Sequence, residues 1–277
     1  MSQQTPEEPP IGPVGPAPAR MYDYFLGGKS NYTVDREAAA KVLSVFPSAL
    51  TAARENREFM HRGVRHLARD HGIRQFLDIG TGIPTEPNLH QIAQGVHPGA
   101  RVVYVDHDPV VLAHDRALMA SAPEGATAYI EADVREPERI LQHAGKTLDM
   151  ERPVAVTLVA LLHFVRAQDD PEGIVRTLMA DLPSGSALAI SQGSADLDPR
   201  LHEVQAIYAE RGIALELRDR ERTEALFAAG GVELLAPGLT VSYEWHPEFI
   251  GEGEYPRPAN SMTPAESGVW VGVGLKP

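Results

Sequence analysis

From residue 73 onward, short apolar runs alternate with stretches of helical periodicity, and this alternation constrains the fold more than any other feature. The alternation predicts five strands, each followed by a helix, at residues 74–79, 101–106, 126–132, 154–160 and 186–191. Strands connected through helices pair in parallel, and the helices then cover both faces of the sheet. Two more strands are expected at residues 232–235 and 269–275. The sequence therefore predicts an α/β fold with a mostly parallel, seven-stranded sheet.

The residues before this alternation divide into two segments. Residues 1–19 are rich in Pro and Gly and contain almost no bulky apolar side chains, which predicts a flexible tail. Residues 20–72 carry two helical patterns, at residues 35–43 and 49–70. The predicted organisation is a tail at residues 1–19, an N-terminal helical cap at residues 20–72 and an α/β core at residues 73–277.

The start of the helical cap is unusually aromatic. Four of the chain's eight Tyr and seven Phe residues lie within residues 22–32, next to the pair Gly27 and Gly28. One interpretation is a lid over a ligand site, with the glycines as hinge or contact points. The alternative is a helix that packs its aromatic side chains on the core.

A glycine turn follows the first predicted strand. Gly80 and Gly82 flank Thr81, and glycine allows both a tight turn and a close approach of a ligand to the backbone. The free N–H groups of a following helix favour an anionic or hydrogen-bonding ligand. A dinucleotide fingerprint has a third small residue three places later, whereas this chain has Thr85 there.

Three carboxylates lie at the ends of neighbouring predicted strands: Asp78, Asp106 and Asp133. The carboxyl ends of parallel strands line one crevice, so these side chains are expected to converge. Asp106 lies twenty-four residues after Gly82, where a carboxylate accepts hydrogen bonds from ribose hydroxyls. Asp133 is placed to accept a hydrogen bond from an exocyclic adenine amine. Together these positions predict a site for an adenosine without phosphates.

These blocks resemble a known group of enzymes. Residues 78–82, 105–106 and 132–134 resemble the first three motifs of class I S-adenosylmethionine-dependent methyltransferases. A narrower resemblance, to the actinobacterial S-adenosyl methyltransferase family formerly called domain of unknown function 574, is carried by residues 22–29, 82–85, 103–110 and 170–175. The resemblance covers residue 20 to the C-terminus. It implies a Rossmann-like methyltransferase core, S-adenosyl-L-methionine as the methyl donor and S-adenosylhomocysteine as the product.

The resemblance also implies roles for individual residues. The turn beneath the methionine moiety would be Gly80, Thr81 and Gly82, and Asp78 would lie near its amino group. Asp106 would bind the ribose with His107 or Asp108 beside it, and Asp133 and Val134 would frame the adenine. Tyr22 or Tyr24 would present an aromatic face to the sulfonium. One departure is the run Ser191-Gln192-Gly193, where relatives commonly have a histidine after the fifth strand.

His163 follows the fourth predicted strand and is the one candidate catalytic residue. It is interpreted either as a general base that deprotonates an oxygen or nitrogen nucleophile, or as a residue of the pocket wall. Methyl transfer to a neutral nucleophile with a lone pair requires no base, because alignment supplies much of the acceleration. No metal site is expected, since His107 and His114 lack the spacing of metal ligands.

Composition excludes several classes of protein. The net charge of −13 and the absence of a basic cluster argue against nucleic acid as the main partner. The chain has no Cys, and no basic start followed by an apolar core that would indicate a secretory signal, so a cytoplasmic location is expected. The longest apolar run, residues 154–165, is too short to span a bilayer.

The sequence therefore predicts methyl transfer from S-adenosylmethionine to an oxygen, nitrogen or carbon atom of a small molecule, in an assembly of unknown oligomeric state. Two alternatives remain open at this point. The first is a binding protein that senses S-adenosylmethionine without turnover, suggested by the departure at Gln192 and by the lack of a clear base. The second is an oxidoreductase that uses a nicotinamide cofactor, which Thr85 and Asp133 disfavour.

Overall fold

A computed structural model describes residues 15–111, 121–249 and 262–277. These ranges contain one eight-stranded sheet. Its strands are β1 Gln75–Ile79, β2 Arg101–Asp106, β3 Ala126–Glu131, β4 Ala155–Leu158, β5 Ala187–Gly193, β6 Glu233–Leu234, β7 Thr240–Val241 and β8 Val269–Leu275. The helices with full bounds are α1 Pro18–Phe25, α2 Thr33–Val45, α3 Ala49–Asp70, α4 Leu89–Val96, α5 Pro137–Ala144, α6 Pro171–Ala180, α7 Leu201–Ala209, α8 Arg220–Ala229 and α9 Pro264–Ser267.

The sheet has the order β3-β2-β1-β4-β5-β8-β6, and β7 also pairs with β8. Strands β1 to β5 are parallel, and β8 runs antiparallel to β5, β6 and β7. The predicted count of seven strands is therefore wrong. The additional strand, β7, has only two residues, which is too short to show the two-residue alternation by which a strand is recognised.

Alternate residues of the central strands enter two separate hydrophobic cores. Leu77 and Val103 belong to the core that includes α5, α6 and α8, whereas Phe76 and Val102 belong to the core with α3 and α4. Successive side chains of a strand point to opposite faces, so this division places helices on both faces of the sheet. Both faces are buried, which explains why the strands read as almost continuous apolar runs.

The N-terminal helices form a third hydrophobic cluster together with α7. Helix α1 begins at Pro18, inside the stretch predicted as tail, and residues 1–14 lie outside the described ranges. Most of the helix expected after the second predicted strand, at residues 109–119, also falls outside them. The division into tail, cap and core stays a prediction. None of the helices in the described ranges combines the length and apolar character that a bilayer crossing requires.

Candidate active site

The glycine turn after β1 forms the floor of a cavity. Gly80 and Gly82 both have positive φ angles, +76° and +67°, which L-residues rarely adopt. The backbone N–H groups of Gly80 and Thr81 donate to Val105 O over 2.8 and 3.3 Å, which ties the turn to β2. A Cβ atom at Gly80 would lie 2.7 Å from Leu161 Cδ1, whereas one at Gly82 would meet no atom within 4 Å. Gly82 thus leaves space for a ligand beside the backbone.

Asp106 joins this turn to the end of β2. Its Oδ2 accepts from Gly82 N over 3.0 Å and its Oδ1 accepts from Asp108 N over 2.9 Å. Burial raises the pKa of this carboxyl above its usual value. Both oxygens keep further acceptor capacity. His107, whose side chain is 72% exposed, lies with Nδ1 3.6 Å from Asp106 Oδ1.

Asp78 is a half-buried acid at the end of β1. Burial raises its pKa to about 6, against the lowering effects of a hydrogen bond from Thr157 and of the nearby Arg57. The Thr157 hydroxyl donates to Asp78 Oδ1, and the Thr81 hydroxyl donates to Asp78 Oδ2 over 3.4 Å. These donors hold the carboxylate in place at the end of β1.

Asp133 lies beyond β3 and has a cation of its own. Arg135 donates from Nη2 to Asp133 Oδ2 over 2.5 Å and from Nε to Asp133 Oδ1 over 2.8 Å. The hydrogen bond from Arg135 lowers the pKa of the Asp133 carboxyl. Val134 beside it is buried. Asp133 is therefore ionised and fixed in orientation at this edge of the sheet.

Tyr22 connects the N-terminal helices to the same site. Its hydroxyl donates to Ala53 O over 2.9 Å and accepts from Asn56 Nδ2 over 3.3 Å, so α1 is attached to α3 at this point. Tyr24 does not line the cavity and instead packs edge-on against Phe25 at 6.3 Å between ring centroids. Residues two positions apart on a helix point about 200° apart, so Tyr22 and Tyr24 cannot face the same ligand.

His163 lines the cavity in a segment whose backbone is fixed by the buried Arg218. Arg218 donates to Leu162 O and Val165 O, over 2.7 and 2.8 Å, on either side of the histidine, and also to Gln192 Oε1 over 3.0 Å. Burial, with a contribution from the Arg218 charge, lowers the pKa of His163 to about 3. Its Nδ1 is buried without a hydrogen-bond partner. A ring that stays neutral to such low pH is a poor general base.

The sequence-predicted residues meet in one cavity of about 320 Å³. All of them except Tyr24 contribute to its lining: Tyr22, Asp78, Gly80, Thr81, Gly82, Asp106, His107, Asp108, Asp133, Val134 and His163. The cavity extends from the ends of β1, β2 and β3 to the helices α1, α2 and α7. It is large enough and polar enough at one end to hold a small ligand.

The sequence interpretation missed Arg57, which also lines the cavity. Its guanidinium donates to the backbone oxygens of Thr85 and Pro87, the latter over 3.1 Å, while its Nε is buried with no partner. Arginines on long amphipathic helices usually lie on the exposed face, so nothing in the sequence indicated that this one lines a cavity. Within the described ranges, no group of His, Asp or Glu side chains is arranged to hold a metal ion.

Comparison with known proteins identifies the family. The sequence profile of the S-adenosyl methyltransferase family matches residues 4–277. The chain belongs to this family. The resemblance inferred from the sequence motifs is thus confirmed, and S-adenosylmethionine is the cofactor. The nicotinamide alternative is accordingly wrong.

Two solved structures are similar over almost their whole length. A protein of the family called domain of unknown function 574, from Streptomyces avermitilis MA-4680, is 45% identical to this chain. The match covers 95% of this chain and 98% of that protein's chain, and the TM-score is 0.88. A candidate methyltransferase from Thermobifida fusca YX is 38% identical, covers 95% of each chain, and has a TM-score of 0.84. No curated protein matches the chain. The Rossmann-like fold is confirmed by these structures, whose names specify no methyl acceptor.

Proposed function

We propose that this methyltransferase transfers the methyl group to an oxygen, nitrogen or carbon atom of a small molecule that binds in the same cavity. The observation that carries this proposal is the continuity of the cavity. Its lining runs from the carboxylates at the strand ends to the apolar side chains of α1, α2 and α7. A donor and a small acceptor can therefore lie side by side in one cavity.

The end of the cavity near β1 and β2 fits the cofactor. When bound, S-adenosylmethionine supplies an electrophilic methyl carbon on a sulfonium. The backbone of Gly80, Thr81 and Gly82 would contact the methionine moiety, and the open space at Gly82 supports this placement. Asp106 would accept hydrogen bonds from the ribose hydroxyls, because Gly82 N and Asp108 N already fix its two oxygens. His107 and Asp108 would lie beside the ribose.

The remaining parts of the cofactor fit the neighbouring residues. Asp133 and Val134 would frame the adenine, and Arg135 holds the Asp133 carboxylate in position. Arg57 and Asp78, a cation and an acid close enough to affect each other's pKa, would bind the carboxylate and the ammonium of the amino-acid moiety. The unpartnered Nε of Arg57 supports this assignment, since buried polar atoms usually have partners. Tyr22 would lie over this end.

The acceptor reacts by direct displacement. A lone pair or carbanion of the acceptor would form the new bond to the methyl carbon, while the carbon–sulfur bond breaks and its electron pair stays on sulfur. An acceptor that reacts as a neutral hydroxyl or amine would then lose its proton to solvent. The chain's contribution is to align the reacting atoms. His163 offers a hydrogen bond from a neutral ring rather than a site for a proton, because burial keeps its pKa far below neutral.

The departure at Gln192 does not favour a sensor over an enzyme. Gln192 is fully buried and donates to the backbone oxygens of Gly193 and Glu216 over 3.1 and 2.9 Å. It does not line the cavity, and its side chain supports Arg218 instead. A glutamine at this position therefore has a structural explanation.

The release of S-adenosylhomocysteine across a panel of phenols, amines and carbon acids tests the proposal. Reactions without acceptor serve as the control, and binding of S-adenosylmethionine is measured in parallel by calorimetry. We expect acceptor-dependent release with at least one member of the panel. Tight cofactor binding with no release for any acceptor would instead support the binding protein.

A further inference from the structure

The charged residues of the cavity lining are confined to one end. The lining contains six residues with a full charge, and all lie on α3 or at the ends of β1, β2 and β3: Arg57, Asp78, Asp106, Asp108, Asp133 and Arg135. This is the end assigned above to the cofactor. In the part of the chain that the structure describes, the rest of the lining contributes no Asp, Glu, Lys or Arg.

The opposite wall is apolar and comes from several separate elements. Helices α1, α2, α3 and α7 and the segment after α7 contribute side chains of a single hydrophobic cluster: Phe25, Val42, Phe46, Ala53, Val204 and Leu217. Because these side chains belong to one cluster, the wall is continuous. We call it the apolar wall.

Two polar groups are placed beside this wall. The Nδ1 atom of His163 is buried without a partner, and the Tyr208 hydroxyl has no hydrogen bond within the described residues. The ring of Phe164 lies between them, 4.5 Å from the His163 ring and 6.0 Å from the Tyr208 ring. The Nδ1 atom of His163 is closed off from the cavity, whereas the Tyr208 hydroxyl can donate to and accept from a ligand.

Charge decides which ligands this wall accepts. A charged group that leaves water without a counter-ion loses several kcal/mol of hydration free energy. No Asp, Glu, Lys or Arg side chain lines the apolar wall, and the Nη atoms of the nearby Arg218 donate to Leu162 O, Val165 O and Gln192 Oε1 rather than into the cavity. Aromatic rings, in contrast, gain contact area and edge-to-face geometry against Phe164 and Tyr208.

We propose, resting on the methyltransferase function proposed above, that the acceptor is a neutral, ring-bearing small molecule whose one hydroxyl or amine binds at the Tyr208 hydroxyl. The ring lies against the apolar wall. This assignment excludes acceptors that carry a net charge on the part that lies against the apolar wall.

Three probes that share a phenol ring and differ in charge test the inference. Calorimetry measures the binding of p-ethylphenol, tyramine and p-hydroxyphenylacetate to the full chain saturated with S-adenosylhomocysteine. We expect the neutral p-ethylphenol to bind more than about tenfold tighter than the cationic tyramine or the anionic p-hydroxyphenylacetate. Equal binding of all three, tighter binding of a charged probe, or no binding of any would overturn the inference.

A charge introduced at Leu217 gives a second readout. Leu217 lies close to His163, since a Cβ at Gly193 would be 3.5 Å from Leu217 Cδ2 and 3.9 Å from His163 Nδ1. Leu217→Lys is expected to bind p-hydroxyphenylacetate at least about tenfold tighter than the wild type does. The volume-matched Leu217→Met should keep the preference for p-ethylphenol. No gain in Leu217→Lys, with S-adenosylhomocysteine still bound, contradicts the placement of the acceptor.

The two proposals fail in different ways. If S-adenosylhomocysteine does not bind the wild-type chain, the proposed function and the inference fall together. If it binds and a charged probe is preferred, only the inference about the acceptor falls.

Discussion

Asp78 and Asp106 show how two neighbouring carboxylates acquire different properties from their surroundings. Asp106 accepts two backbone N–H groups, whereas Asp78 relies on two hydroxyls and on the nearby Arg57. The sequence predicted both acids because strand ends are recognisable. It could not predict Arg57, whose partners are backbone oxygens of a loop about thirty residues away, brought close only by the fold.

The raised pKa of Asp78 predicts that this acid destabilises the protein without ligand. The folded chain holds the Asp78 proton more tightly than the unfolded chain, so stability falls as the pH rises from 3.8 to about 6. Asp78→Asn should remove this fall and raise the free energy of unfolding near neutral pH by about 2–3 kcal/mol. Urea denaturation at several pH values measures the effect.

The same substitution should weaken binding of the cofactor, because asparagine carries no charge for the ammonium. Glu124→Gln, at an exposed loop carboxylate, is the matched control and should change neither property. If Asp78→Asn were less stable than the wild type near neutral pH, the ionised Asp78 would stabilise the folded chain, which would contradict this prediction.

The neutral state of His163 predicts a specific pH dependence. The folded chain binds a proton there only near pH 3, whereas the unfolded chain does so near 6.5, so this residue's contribution to stability is complete above 6.5 and is lost as the pH falls. The slope is up to about 1.4 kcal/mol per pH unit between these values. Denaturation at several pH values should show that the free energy of unfolding of the wild type relative to His163→Asn falls with up to this slope as the pH is lowered, because the opposite contribution of Asp78 is common to both proteins.

The pH profile of kcat/KM tests whether His163 acts as a general base. His163→Asn keeps a neutral hydrogen-bonding side chain and should retain the shape of the wild-type profile. An inflection near pH 6.5 in the wild type that disappears in His163→Asn would establish a general base and contradict the assignment to the pocket wall.

At the scale of elements, several blocks that carried the family resemblance turn out to be structural. Asp170, with a left-handed backbone, caps α6 by accepting from Gly173 N over 3.0 Å, and a Cβ at Gly173 would lie 2.1 Å from Asp170 Oδ2. After α1, a Cβ at Gly28 would lie 1.9 Å from Asp23 Oδ1. These glycines are needed where the backbone closely approaches a carboxylate, so the two blocks identify the fold more directly than the chemistry.

The turn after β1 gives the sharpest test at this scale. Gly80→Ala places a Cβ against Leu161 at a positive φ, and should lower the free energy of unfolding by about 1–3 kcal/mol. Gly95→Ala, in α4 with open space around the new Cβ, is the matched control and should stabilise by up to about 1 kcal/mol. Chemical denaturation of both variants measures the difference. Equal stabilities would contradict the tight approach of Leu161 to the turn.

At the scale of the whole molecule, the alternation of strand and helix was sufficient to predict the layered α/β architecture. The bounds of β2, α3 and β8 agree with the sequence prediction, because each has a strong periodicity or a clear boundary residue. The eighth strand, β7, was missed because two residues have no period. The arrangement of α1 and α2 over the cavity was left as one of two alternatives, since it depends on contacts with α3 and α7 that are distant in sequence.

Calorimetric titration of wild type and Asp106→Ala with S-adenosylmethionine tests the central claim, that the edge of the sheet at β1 and β2 holds the methyl donor. We expect stoichiometric binding by the wild type. Asp106→Ala should bind about 1–3 kcal/mol more weakly, because it loses charge-assisted hydrogen bonds to the ribose. Undiminished affinity in Asp106→Ala, or no binding by the wild type, would contradict the account.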